Sequence, residues 1–580
     1  MKILIHQTHH QIADFENIFS DLKSAIQKKT DKPQLHLFPE LYLTGYPLQD
    51  LCLQPSFYQT YLTYLNELNQ FVVKQKPDEK LLLVSGLQYT FDDKGLAQYI
   101  RNVIYEIRCG KEIKAIYTKM LLPNYDIFDE KKYFTPGTKA EYIEFAGKKI
   151  ALQICEDMWA STYHDLDPTV MLKGLNINFD LVINLSASPF NLFKSESRFN
   201  RAKEISKTLK APFVYVNRVG AEDEILFDGN SFIVNNDEVV AQLKSFAAET
   251  KEFALPKKEI YPEVTPHIHN HWEELFSANI VKNNKSVELK PLNDENCQAL
   301  IDSLIFGYQE YAKKTKHQKF TVALSGGMDS ALVLTILKLG LQAGQTLEAL
   351  YMPSRFSSDL SRKLSEDLCK KLDIPLYVLP IEDSFKQLSG QVAEQFDQKL
   401  QGLALENIQS RLRGLILYTR SNQTGSMVIN TSNKSELAVG YSTLYGDSVG
   451  ALSLLGDIYK TEIYQLAKYI NKKYNNCIPE QILSRPPTAE LRENQKDQDS
   501  LPEYNVLDII LEGILSYRFS AHDLIKLGIN TNDVQKVFKL YAQSEFKRKQ
   551  FCPILKVKGK SFGFGYRIPL TKNSQFYSAP

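Results

Sequence analysis

A chain of 580 residues is too long for one hydrophobic core, and its length predicts roughly two to four domains. Its 43% apolar and 24% charged residues match an ordinary soluble globular protein, and a net charge of +1 excludes the polyelectrolyte signature of a nucleic-acid binder. No apolar run approaches the roughly 18 residues that span a bilayer, and the N-terminal run is too short for a secretion signal, so no membrane partner is expected.

Over the first 240 residues, short β-branched apolar runs alternate with amphipathic ones. Strands are predicted at 2–6, 34–38, 80–87, 102–108, 112–117, 149–155, 181–185 and 213–217, and helices near 12–28, 56–74 and 195–209. This alternation predicts a layered α/β domain. Three of the runs close on polar groups: 34–38 leads to Glu40, 112–117 to Lys119, and 149–155 ends on Cys155. If these strands are neighbours, a base, a cation and a nucleophile meet at one end of one sheet, which is the set that amide hydrolysis needs. A thiolate is the attacking form, so its proton must be taken or offset. Glu40 can act as the base and then protonate the leaving amine. Lys119 can lower the thiol pKa and steady the oxyanion. The seven cysteines are scattered, with no CxxC pair. That predicts reduced thiols in the cytoplasm and excludes a zinc site or a disulfide frame.

From about 250 to 292 the pattern weakens and prolines punctuate it, so 251–292 reads as a connection between domains. A helix is predicted at 294–314. Next comes Phe-Thr-Val-Ala-Leu-Ser-Gly-Gly-Met-Asp-Ser, residues 320–330, a strand running into a loop of small residues, with a helical run at 331–339. Such a loop lets phosphate oxygens reach backbone N–H groups at a helix N-terminus. Asp329 can hold Mg²⁺ beside them. The spacing is not that of a Walker A loop. A strand at 347–352, a helix at 360–372 and a strand at 375–380 complete the pattern of a doubly wound parallel sheet.

The string SGGMDS, 325–330, resembles the pyrophosphatase loop of enzymes that transfer AMP and release pyrophosphate. NAD, GMP and asparagine synthetases and tRNA-thiolating enzymes share it, and the loop alone does not choose among them. The Glu/Lys/Cys set resembles the nitrilase superfamily. More closely, FPELYLTGYPLQDL, YTKMLLPNYDIFDEKKYF, ICEDMW and NLSASPF are similar to the glutaminase domain of the glutamine-dependent NAD synthetase family. The second half is similar to the synthetase domain of that family through SGGMDS, MPSRFSSDLS, ENIQSRLRG, TSNKSELAVGYSTLYGD, LGDIYKTEIYQLA and RPPTAEL. GMP synthetase usually pairs its Cys with His and Glu, and asparagine synthetase uses an N-terminal Cys where this chain has Lys2 after Met1. Two other readings stay open. In a stand-alone amidase, hydrolysis would ignore ATP. In a non-catalytic nucleotide binder, Cys155 would resist a glutamine-analogue electrophile.

The resemblance implies an α/β fold throughout: a nitrilase-type α-β-β-α sandwich over 1–250, a linker at 251–292, and a doubly wound, Rossmann-like domain of the adenine nucleotide alpha hydrolase type over 293–580. It implies Glu40 as base, Lys119 as oxyanion support and Cys155 as nucleophile, with glutamine on Tyr125, Ser188 and Lys194. The family often has Gly before that Lys, where this chain has Phe193. ATP is expected on Ala323, Leu324, Ser325, Gly326, Gly327, Met328, Asp329, Ser330, Thr431 and Lys460. Deamido-NAD is expected near Asn407, Arg411, Glu436 and Lys547, and Mg²⁺, bound with ATP, on Asp329, Glu436 and Thr488. Ammonia-only relatives have a substrate-binding Lys where this chain has Leu444, so no contact is assigned there. The seven Lys and Arg of 547–567 read as a solvated basic tail or as a lid over phosphates. The implied partners are ATP, deamido-NAD and glutamine, with no tightly bound organic cofactor, an internal route for ammonia, and a homo-oligomer, dimer or octamer.

Overall fold

The computed structural model describes residues 1–30, 32–160, 166–259, 261, 287, 289–493 and 495–573. They fall into two units, Met1–Leu275 and Phe276–Pro580. The divide lies within 251–292, of which residues 260, 262–286 and 288 are outside the described residues.

The strands described in the first unit are β1 (Lys2–Gln7), β2 (Gln34–Leu37), β3 (Lys80–Phe91), β4 (Ala97–Ile107), β5 (Lys114–Thr118), β6 (Tyr142–Phe145), β7 (Lys148–Ile154), β8 (Leu181–Ser186), β9 (Phe213–Asn217), β10 (Val219–Glu222), β11 (Ile225–Asp228), β12 (Phe232–Asn235), β13 (Glu238–Gln242) and β14 (Glu249–Ala254). Two six-stranded sheets form, in the orders β14-β1-β2-β3-β4-β5 and β13-β12-β9-β8-β7-β6, beside the ribbon β10-β11. Alternation along each strand decides the layers. Leu81, Leu83, Ile104, Ile150, Leu152, Ile183 and Leu185 meet in the core between the sheets. Leu82, Val84 and Val103 point the other way, onto the helices Phe15–Gln27 and Pro55–Val73. Ala151 and Val182 turn outward onto the helices Pro168–Gly174 and Lys194–Leu209. The result is the expected α-β-β-α sandwich.

Several strands escaped the sequence pattern. β10, β11 and β12 are four residues each, too short to display a period. β14 is a mostly exposed edge strand, Glu-Thr-Lys-Glu-Phe-Ala. It pairs antiparallel with β1, Lys2 opposite Ala254, and so carries the first sheet past residue 250 into the stretch read as linker.

The second unit holds a sheet of β15 (Lys319–Ala323), β16 (Thr346–Tyr351), β17 (Leu376–Val378), β18 (Met427–Asn430) and β19 (Leu452–Ser453). Its order is β17-β16-β15-β18-β19 with every pair parallel. The chain winds outward from β15 in one direction and then in the other. The switch point therefore lies between β15 and β18, where such sheets bind ligands. The stretch 547–567 is no solvated tail, since much of it packs into the unit. Ile554 pairs with Ser453, and Leu555 and Val557 are buried. Lys547, Arg548, Lys556 and Lys560 donate to carbonyls, and Lys558 pairs with Glu462. Among the described residues no helix is long and apolar enough to cross a membrane.

Candidate functional site

Cys155 follows β7 and opens a short 3-10 turn, Cys155–Trp159. Its φ of +42° is left-handed, a conformation that costs a non-glycine residue about 1–3 kcal/mol. Asp157 ties the turn down. It accepts from Ile154 N at 2.9 Å, Tyr117 OH at 2.7 Å, Met120 N at 3.0 Å and Leu121 N at 2.8 Å. The segment carrying Lys119 is thereby fastened to the thiol turn.

Lys119 is fully buried and its Nζ lies 2.7 Å from Glu40 Oε1 and 2.8 and 2.7 Å from the two oxygens of Glu130. Glu40 also accepts from Asn102 Nδ2 at 2.8 Å and Ala187 N at 3.0 Å, and its own N–H donates to Ser186 O. Tyr46 OH donates to Glu130 at 2.9 Å. The expectation that Lys119 lowers the thiol pKa meets a stronger opposing effect. Burial first, then the charge of Glu40, push the Cys155 thiol well above its usual value, and Lys119 offsets only part of this. The same two carboxylates push Lys119 well up against the effect of burial, so it stays charged. Glu130 was not foreseen from sequence. It lies in the short helix Glu130–Tyr133, and only burial distinguishes it from a surface acid.

Tyr125, Ser188 and Lys194 come from three different segments. Tyr125 OH donates to Glu156, next to the thiol, at 3.0 Å. Burial pushes Glu156 up to about 8. Ser188, just past β8, is buried, and its N–H donates to Asn217 Oδ1 at 2.8 Å. Lys194 is the first residue of its helix. Burial and the charge of Arg198 bring it down to about 8, against the opposite pull of Cys155 and Glu156.

In the second unit a cavity of ≈ 250 Å³ opens at the switch point. Ala323, Leu324, Ser325, Gly327, Met328, Asp329 and Ser330 line it, with Thr431 past β18, and Glu436, Lys460 and Thr488. Gly326 is not among the lining residues. Its φ is +77° and an added Cβ would stand 2.5 Å from Ser361 O. The helix Met328–Gly340 starts here without a side-chain cap, so its first N–H groups are open to an anion. The Lys460 ammonium pairs with Asp329 and lies 3.4 Å from Glu436, while Asn433 Nδ2 donates to Asp329 at 3.2 Å. Burial pushes Glu436 up to about 8; Lys460 opposes this, and Asp329 and Asp497 add to it.

Asp497 was missed by sequence reasoning. It lines the cavity, held by Tyr441 OH at 3.2 Å and Tyr504 OH at 2.9 Å, and nothing in its polar loop marked it out. Thr488 Oγ1 donates to Gln495 O at 2.6 Å. Asn407, Arg411 and Lys547 do not line the cavity. They gather on segment 440–444: Thr443 Oγ1 donates to Asn407 at 2.8 Å, Arg411 Nε to Leu444 O at 3.2 Å, and Lys547 to Gly440 O and Ser442 O at 2.7 and 2.6 Å. Arg413 faces the cavity instead, its Nε donating to Met352 O at 2.9 Å. Among the described residues no three Asp, Glu, His or Cys side chains are close enough together to cage a metal. Two carboxylates beside a phosphate site are, however, the usual Mg²⁺ arrangement when substrate supplies the other ligands.

Known proteins match this chain over both units. A carbon-nitrogen hydrolase family model matches residues 4–260 and an NAD synthase model residues 300–551. The glutamine-dependent NAD(+) synthetase of Acinetobacter baylyi is 33% identical over 98% of each chain, and that of Synechocystis is 34% identical over 96% of each. The structure of the Acinetobacter baumannii enzyme in complex with ADP has a TM-score of 0.69 at 27% identity, covering 98% of both chains. The Cytophaga hutchinsonii enzyme shares the fold with a TM-score of 0.76 at 19% identity, covering 100% of this chain and 99% of that one. With a third of its residues shared along nearly its whole length, the chain belongs to the glutamine-dependent NAD(+) synthetase family.

Proposed function

We infer that this chain is an ATP-dependent carbon–nitrogen ligase that amidates deamido-NAD. Deamido-NAD, ATP, glutamine and water give NAD, AMP, pyrophosphate and glutamate. The observation that carries this reading is the pairing, in one chain, of a buried Cys–Glu–Lys set with an SGGMDS loop at the switch point of a parallel sheet.

A thiol held above its usual pKa keeps its proton until substrate arrives, so a base must act as the bond forms. Glu40 takes that proton while Sγ of Cys155 attacks the glutamine carboxamide, and returns it to the departing ammonia. Lys119, kept charged between Glu40 and Glu130, acts on the oxyanion through its charge. Water then attacks the thioester, with Glu40 again as base, and glutamate leaves. Tyr125, Ser188 and Lys194 hold the amino-acid end, with the Lys194 ammonium matching its carboxylate.

In the second unit the nicotinate carboxylate attacks the α-phosphorus of ATP and pyrophosphate leaves. Ammonia, carried internally, then displaces AMP from the acyl-adenylate. The loop 323–330 and Thr431 seat ATP, and Lys460 exchanges Asp329 and Glu436 for phosphate oxygens. Asp329, Glu436 and Thr488 would hold Mg²⁺, which when bound offsets the charge that builds on departing pyrophosphate. Asn407, Arg411, Glu436 and Lys547 are assigned to deamido-NAD. Assembly into homo-oligomers belongs to the same reading, and the helix Leu403–Thr424 leaves Leu403 and Leu415 exposed.

The test compares the protein with Cys155→Ala in the presence of ATP and deamido-NAD. With glutamine, the variant should lose at least about 10³-fold in rate; with ammonium it should make NAD as the parent does. Glutamine use surviving in the variant, or no NAD from either nitrogen source in the parent, would end this reading.

A further inference from the structure

The wall behind Ser188 is built around one arginine. Arg198 is 1% exposed and sits one turn along the helix that Lys194 begins. Its Nη1 donates to both oxygens of Asp228, at 2.9 and 2.8 Å. Its Nη2 donates to Ser188 O at 3.0 Å, Ser188 Oγ at 3.3 Å and Pro189 O at 2.9 Å. The Tyr215 ring lies 5.8 Å from the guanidinium carbon. Asn217 works on the same strip: it accepts from Ser188 N, and its Nδ2 donates to Ser188 O at 3.1 Å and Asp228 at 3.3 Å. One residue earlier, Ala187 donates its N–H to Glu40.

Stability alone does not account for this arrangement. A buried ion pair is often no more stable than an apolar pair of the same volume. Arg198 Nε is in addition buried without a hydrogen-bond partner among the described residues, a cost that a purely structural staple does not need. What the guanidinium adds is a fixed, planar fork aimed at two consecutive backbone carbonyls and a hydroxyl.

We propose that Arg198 is a positioning residue for glutamine. With Asp228 and Asn217 it fixes the Ser188 hydroxyl and the carbonyls beside it, and so sets the KM for glutamine through Ser188. This rests on the reading of the first unit as a glutaminase. The experiment measures NAD formation by the full-length protein with ATP and deamido-NAD, against glutamine and separately against ammonium, in R198M, R198K and R198M/D228L. R198M should raise the KM for glutamine at least about tenfold with kcat within about threefold, and leave the ammonium-supported rate unchanged. R198K should recover part of the loss, since one ammonium still reaches a carbonyl. R198M/D228L, freed of the stranded Asp228 charge, should regain the melting temperature lost in R198M yet keep the raised KM. A parental KM in R198M or in the double variant overturns the proposal. A parent protein that makes NAD from neither nitrogen source overturns both the glutaminase reading and this one.

Discussion

Lys194 shows how much a single side chain owes to its neighbours. Burial and Arg198 bring its pKa to about 8, so its charge is present below that pH and lost above it. If that charge binds the glutamine carboxylate, kcat/KM for glutamine should fall as pH rises through about 8, while the ammonium-supported rate follows a different profile. A pH series with both nitrogen sources checks this, and parallel profiles would remove Lys194 from substrate binding. Glu40, Lys119 and Cys155 were legible in the sequence because each closes a predicted strand with chemistry the strand does not need. Glu130 and Asp157 were not. Their importance comes from being buried against Lys119 and the 120–121 backbone, and burial of an acid outside any regular pattern leaves no trace in a single sequence.

At the scale of an element, the strand–loop–helix at 319–340 reads as a phosphate site from its small residues, and Gly326 shows what one of them does in the fold. Replacing it with Ala would force a side chain into a left-handed φ and drive Cβ against the backbone of Ser361. Gly326→Ala should therefore weaken ATP use by an amount equivalent to about 1–3 kcal/mol, read as a rise in KM for ATP with glutamine hydrolysis intact. An unchanged KM would show that the loop relaxes without consequence. The helix Leu403–Thr424 taught the opposite lesson. Arg411 and Arg413 stand two positions apart, about 200° around the helix, so only one can face the cavity. Motif resemblance singled out Arg411, for deamido-NAD, and not Arg413, which the packing of the helix on the sheet turns toward the cavity. The short strands β10 to β12 were illegible for another reason: their pairing partners, not their own residues, make them strands.

At the scale of the whole molecule, stability depends on buried groups to which neither site's chemistry assigns a role. His6 and His36 lie on adjacent strands with Nε2 and Nδ1 3.0 Å apart, and Phe38 stacks on His6. Burial, then His36, takes His6 down to about 3; burial, then Lys80, takes His36 to about 4. Both are neutral in the folded chain and titrate near 6.5 when unfolded. Below 6.5 the unfolded state binds the extra protons, so their contribution is lost as pH falls, by about 2 kcal/mol for each histidine at pH 5. Melting temperatures at pH 7 and pH 5 should diverge more in the parent than in H6Q/H36Q, and an equal drop in both would refute this.

The sequence by itself determined the two α/β units, the strand ends that bear chemistry and the small-residue loop, because alternation, strand length and turn composition are local properties. Only the tertiary structure decided which acids hold Lys119, which arginine of the helix Leu403–Thr424 faces the cavity and what stands behind Ser188. Those contacts join residues from 10 to 79 positions apart in the chain. Their energies come from burial and from shared partners, and neither exists until the layers close.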